Sequence, residues 1–248
     1  MHESRLTVRQ AYAHLARAQK GHARGAPAYS VYVNRRLGRI LAAWAYTRGL
    51  TPNMATGISA AHTFLGIALL MVLPAVPLTG VVVAVLLVLG YAWDSADGQI
   101  ARLTGQGSPA GEWLDHFVDA IKISSLHLSV LIAAWFHMPL RDSWWLLLPL
   151  LFSVVATVTF FGMLLNDLIK SSHGGASTHQ RGGGTAIRSL LLLPTDFGLV
   201  CLVFVFWGYP GWQHWPSPFF ILYGLLLLAA SGFLLLASVK WFREMQKL

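Results

Sequence analysis

Six apolar segments, at residues 53–76, 80–101, 112–137, 144–169, 187–208 and 218–239, constrain this chain more than any other feature. Each is close to the ~20 residues that a helix needs to cross the hydrocarbon core of a bilayer. The pattern predicts an all-α integral membrane protein with six transmembrane helices. Composition agrees: 55% of residues are hydrophobic, mean hydropathy is +0.56 and Asp plus Glu number only ten, which excludes an ordinary soluble domain of this length.

The formal charge of +8 does not point to nucleic acid, because the Lys and Arg residues sit at the ends of apolar segments and are not interleaved with stacking aromatics. Anionic lipid head groups and phosphate-bearing substrates are the expected partners. The single cysteine, Cys201, lies inside an apolar run, so it reads as a packing residue and an internal disulfide is excluded. No signal peptide is expected from the basic, polar amino terminus.

Four regions follow from the pattern. Residues 1–26, with Arg5, Arg9, Arg17, Lys20 and Arg24 against a single acid, Glu3, form a basic cytoplasmic arm. Residues 27–50 are predicted as an amphipathic juxtamembrane helix, because Val33, Leu37, Ile40, Leu41 and Trp44 recur at helical spacing while Asn34, Arg35, Arg36 and Arg39 lie off that line. Gly49 and Pro52 end it. Residues 51–240 form the six-helix domain and 241–248 a cytoplasmic tail. Both termini are predicted inside, since that orientation leaves only Lys122 and Arg141 away from the inner side. The polar stretch 170–185 reads as a flexible, basic inner loop.

In so oily a chain the acids need an explanation. Asp94, Asp97, Gly98 and Ala101 fall within about a third of a helical circumference, and Gly111, Asp115 and Asp119 recur every four residues along one stripe of the next helix, to which Lys122 returns. The turn between the two segments is short, so these faces oppose each other at one end of the bundle. Carboxylates brought together near hydrocarbon mark a functional site by default and require positive partners. An all-oxygen ligand set suits Mg²⁺, Mn²⁺ or Ca²⁺, and two such ions can clamp a pyrophosphate. Arg102 can hold a phosphate with its bidentate fork.

The order Asp94, two residues, Asp97-Gly98, two residues, Ala101-Arg102, eight residues, Gly111, three residues, Asp115, three residues, Asp119 resembles the complete signature of the CDP-alcohol phosphotransferase family. The likeness extends to the TPN-x-x-T opening of the first span (Thr51, Pro52, Asn53, Thr56) and to the helix before it. The resemblance implies transfer of a phosphatidyl group from a CDP-linked lipid, usually CDP-diacylglycerol, to an alcohol hydroxyl with release of CMP. It implies two divalent cations, Mg²⁺ or Mn²⁺, held by Asp94, Asp97, Asp115 and Asp119, with Asp119 also the proposed general base. Gly98, Ala101, Arg102 and Gly111 would line the nucleotide and phosphate site, and a homodimer is expected. Acceptor binding is assigned to Lys122, Arg181 and Arg188, near His173 and His179; Lys122 is equally readable as a partner of Asp119. The expected location is a bacterial inner (plasma) membrane with the site facing the cytoplasm.

Elsewhere the residues have plainer readings. His62 and His127 read as satisfied core groups, His116 as packing, and Asp167 as a partner for Lys170. Two rival functions are kept open: a Mg²⁺-dependent intramembrane prenyltransferase, which should carry a second acidic motif, and a cation or proton transporter, which should carry acids through to the other face.

Overall fold

The computed structural model describes residues 6–18, 26–174, 185–211 and 217–248. Among them every regular element is helical. In chain order these are α1 (Val8–Ala18), α2 (Arg35–Thr47, entered through a π-helical turn at Ser30–Asn34), α3 (Pro52–Val72), α4 (Pro77–Thr104), α5 (Pro109–His137), α6 (Leu147–Ser172), α7 (Ala186–Leu191), α8 (Phe197–Val203) and α9 (Pro218–Met245).

Among the described residues five helices are long and apolar enough to cross a membrane: Pro52–Val72, Pro77–Thr104, Pro109–His137, Trp144–Ser172 and Pro218–Met245. They match five of the six predicted segments. The remaining one, predicted as a single helix over 187–208, is broken. It comprises α7, a 3-10 turn at Leu193–Thr195, α8 and a second 3-10 turn at Phe204–Phe206. Pro194 supplies no N–H to continue a helix, and the carboxylate of Asp196 accepts from Gly198 N at 2.9 Å to start a new one. The same carboxylate accepts from Ser30 N at 2.7 Å, which ties this break to the juxtamembrane turn.

Local chemistry sets the ends of the site-bearing helices. Thr51 Oγ1 accepts from Met54 N and Ser108 Oγ accepts from Gly111 N, each followed by a proline at the first helical position. Gly105, at φ 68°, closes α4 in the left-handed conformation. Only residues 105–108 therefore separate α4 from α5, and α3, α4 and α5 pack as neighbours. At 28 and 29 residues, α4 and α5 extend about 42 Å, beyond the ~30 Å hydrocarbon core, so their joined ends carry the acidic motif out toward a head-group region.

The main core lies between α3, α4, α5, α8 and α9 and centres on Leu70, Leu87, Leu126, Phe204, Phe219 and Tyr223. His127 is part of it, with Nδ1 2.5 Å from Tyr223 Oη and its ring stacked on Phe152, a satisfied core group as expected. Cys201 is likewise buried and free.

A second, smaller core joins α2 to α4 and includes Leu15 of α1. Asn34, Gly38, Ala42 and Ala45 face that core, while Val33, Leu37, Ile40 and Trp44 remain exposed along the opposite stripe. This is the surface an interfacial helix offers to lipid. The helix α1 falls within the stretch read as a polar arm. It docks through Ala11 and Leu15, and Tyr12 lies under the Arg39 guanidinium at 5.3 Å.

Candidate active site

Three helices build the acidic site. From α4 come Asp94 and Asp97, from α5 Asp115, Asp119 and Lys122, and from α3 the hydroxyls of Thr56 and Ser59. Oxygens of Asp94, Asp115 and Asp119 lie within 4.8 Å of one another. Asp97 adjoins that cluster, its side chain within reach of Asp115, while its Oδ2 accepts from Thr56 Oγ1 at 2.8 Å and its Oδ1 from Gly98 N. Three of the four predicted aspartates thus converge, and the fourth stands beside them, anchored to α3 and 8% exposed.

Lys122 is buried against this group. Its ammonium donates to Asp94 Oδ1 at 2.6 Å, Asp119 Oδ1 at 3.0 Å and Ser59 Oγ at 2.9 Å. Asp115 Oδ1, by contrast, is a buried acceptor with no hydrogen-bond donor among the described residues. A buried carboxylate oxygen left without a donor costs free energy unless a cation or water meets it. An all-carboxylate donor set, three oxygens within bonding span of one point and an orphaned acceptor together fit a hard divalent cation, with coordination left open for water or phosphate oxygens. The three aspartates thus form a set able to hold such an ion.

Around the acids the surface is bare where a ligand must approach. A side chain at Gly98 would meet only the Arg102 guanidinium, at 3.6 Å, and one at Gly111 would press on Asn53 Oδ1 at 3.0 Å. Ala101 is half-buried between them in sequence, and Arg102 is exposed on the last turn of α4. Arg35 of α2 stands near enough for its charge to repel that of Arg102, and its carbonyl accepts from Gln99 Nε2 at 3.3 Å. Two neighbouring guanidinium groups at the rim of an acidic site make an anion-attracting edge.

Of the acceptor candidates, Lys122 lies in the cluster itself. Arg188 is exposed on α7, and among the described residues it makes no hydrogen bond or ion pair with the aspartates. Arg181 and His179 lie outside the described residues. His116 sits 3.9 Å from Glu112. Lys170, at the end of α6, pairs with Glu244 of α9.

Sequence reasoning missed Ser59 and Arg35. The signal for Ser59 was present: Thr56, Ser59 and Thr63 recur at helical spacing as a small polar stripe in an otherwise apolar span, and all three are buried against α4. Arg35 had no comparable signal, since its neighbourhood depends on how α2 lies across α4.

The helices and the site define an integral membrane protein with an acidic, phosphate-directed centre at one end of its bundle. The family model for CDP-alcohol phosphatidyltransferase matches residues 50–238, most of the chain and all four motif aspartates, so the chain belongs to that family. It is accordingly a transferase of substituted phosphate groups, acting between a CDP-alcohol and an alcohol acceptor. No curated protein matches the chain with significance.

Proposed function

We propose that the protein transfers a phosphatidyl group from CDP-diacylglycerol to the hydroxyl of an alcohol acceptor, releasing CMP, as a step of phospholipid biosynthesis. The observation that carries this reading is the convergence of Asp94, Asp115 and Asp119 oxygens within 4.8 Å beside an orphaned buried acceptor and an arginine rim. In the reaction the acceptor oxygen forms a bond to the lipid-side phosphorus, the bond from that phosphorus to the bridging oxygen breaks, and CMP leaves with that oxygen.

Two divalent cations, Mg²⁺ or Mn²⁺, would be held by Asp94, Asp97, Asp115 and Asp119 and would supply positive charge to the phosphate oxygens. The protein's own groups do the rest. Arg102 offers a bidentate fork to phosphate at the end of α4. Gly98, Ala101 and Gly111 keep the helix surfaces low so that nucleotide and pyrophosphate can lie against the backbone. Asp119 takes the acceptor's proton: Lys122 engages it through Oδ1, and Oδ2 faces no donor named in the structure.

The acyl chains of such a donor suit a protein whose α6 and α9 present wide apolar faces, including Leu151, Phe161, Leu228 and Leu236. A homodimer would cover part of them. The basic excess on the acidic end of the bundle supports a cytoplasm-facing site in a bacterial plasma membrane.

The test uses purified protein, CDP-diacylglycerol, Mg²⁺ or Mn²⁺ and a panel of alcohols that includes glycerol 3-phosphate, inositol phosphate, serine and phosphatidylglycerol. CMP release with one acceptor, lost in Asp97→Asn, is expected. Release no greater than that of Asp97→Asn across the whole panel overturns the proposal.

A further inference from the structure

Lys122 is a buried charge inside the site, and the reaction outlined above gives it no contact with substrate. It is 5% exposed and lies in the middle of α5. An ammonium carries three donors and no acceptor. All three are engaged, one on each helix of the site: Ser59 Oγ of α3, Asp94 Oδ1 of α4 and Asp119 Oδ1 of α5. No donor remains for a phosphate on an acceptor, so the geometry points away from substrate binding.

The oxygens it holds are themselves informative. Asp94 and Asp119 supply two of the three carboxylates gathered within 4.8 Å, and the third, Asp115, has the oxygen that meets no donor. The ammonium therefore neutralises one side of the cluster and leaves the other side open. A divalent ion approaching Asp115 must meet Asp94 and Asp119 across a resident positive charge.

We propose that Lys122 is an internal counter-cation: it holds Asp94 and Asp119 together while no divalent ion is bound and yields their Oδ1 atoms when one binds. The proposal rests on the metal-dependent reading of this site. Metal binding then becomes an exchange, in which the incoming ion displaces an ammonium that stays tethered by Ser59. Such an arrangement keeps three opposed helices assembled in the metal-free protein, where like-charged carboxylates would otherwise push α4 from α5. It also weakens binding of the ion, so that the ion is held firmly only when substrate phosphate adds further oxygens.

The ordinary role of a group bonded to metal ligands is to support them, and its removal costs about 10–100-fold in metal affinity. Exchange predicts the opposite sign. Nucleotide-free protein in detergent is titrated with Mn²⁺ alone, following free Mn²⁺ by electron paramagnetic resonance. Lys122→Met is expected to bind Mn²⁺ at least about tenfold more tightly than the unmutated protein. Its thermal midpoint should fall in chelator and recover when Mn²⁺ is added. Lys122→Arg keeps the charge and should keep the weaker affinity. Should Lys122→Met fail to fold even with Mn²⁺, Lys122→Gln decides: it removes the charge but keeps a polar side chain with hydrogen-bond donors among Ser59, Asp94 and Asp119, and tighter binding is expected there too. Unchanged or weaker Mn²⁺ binding in the folded variants that lack the charge overturns the proposal alone. Absence of Mn²⁺ binding by the unmutated protein and by the charge-free variant alike overturns the metal reading and this proposal with it.

Discussion

Asp97 separates itself from the other three motif aspartates, because both of its oxygens already accept hydrogen bonds, from Thr56 and from Gly98 N. The Thr56 hydroxyl crosses from α3 to α4 to make its bond and can alternatively donate to Pro52 O at 3.3 Å. A rotor with two acceptors lets the carboxylate turn toward a ligand without leaving the hydroxyl unsatisfied. Replacing Thr56 with Val removes that partner and leaves a buried carboxylate oxygen facing a methyl group. CMP release is expected to fall about 10–100-fold, the usual cost of losing a group that orients a metal ligand. Thr56→Ser restores the hydroxyl and should restore most of the rate. Equal rates for Thr56→Val and the unmutated protein would show that Asp97 needs no orientation from α3.

At the scale of elements, the site depends on how closely α3 can approach α4. Gly90 makes that approach possible. A Cβ there would lie 2.3 Å from Thr63 Oγ1 and 3.2 to 3.3 Å from the backbone at Ser59 O and Thr63 N. The Thr63 side chain can rotate away, but the backbone of α3 cannot, so Gly90→Ala must push the helices apart. A cost of about 1–3 kcal/mol is expected from overpacking, read as a lower thermal midpoint in detergent. The same shift draws Ser59 away from Gly90 O, to which it donates at 2.8 Å, and so disturbs the oxygen that tethers Lys122. An unchanged midpoint would mean that α3 and α4 repack freely. This contact explains what the sequence could and could not disclose. The aspartate spacing was legible because helical periodicity alone puts Asp94 with Asp97, and Asp115 with Asp119. The five long spans were legible from hydropathy. Contacts between helices were not, since nothing in a linear pattern says that Gly90 meets Thr63 or that Arg35 reaches Arg102. The break in the segment 187–208 left a local trace, a proline followed two residues later by a capping aspartate. Hydropathy overrode it because Leu190 to Leu193 and Leu199 to Phe206 read as one apolar run.

For the whole molecule the open quantity is the number of crossings, and the contacts at the two ends of the bundle bear on it. His137 Nε2 at the end of α5 meets Met71 O near the end of α3, so those ends share a side with the start of α4. Gly208 packs on the backbone of Val76, just before α4, and Trp207 stacks edge-on against Phe219 at the start of α9, so α9 begins on that same side. Its far end pairs Glu244 with Lys170, the last turn of α6, on the side that carries the acidic motif. Between α6 and α9 the chain therefore returns through the bundle, and its only path is the broken segment. Tyr91 against Phe197 and Gly80 against Phe204 fix that path along α4, in the opposite direction. Six crossings, with the end of α9 on the acidic side, are the expected outcome, although among the described residues five helices are long enough to span alone. Single-cysteine reporters in a Cys201→Ser background test this with a membrane-impermeant maleimide on vesicles of known orientation. Gln106→Cys and Lys247→Cys should label from the same side and Asp142→Cys from the other. Were Lys247→Cys to label together with Asp142→Cys, the broken segment would be re-entrant. The pairing of Glu244 with Lys170 could then not survive in the membrane, because the two ends of α9 would have to exchange sides.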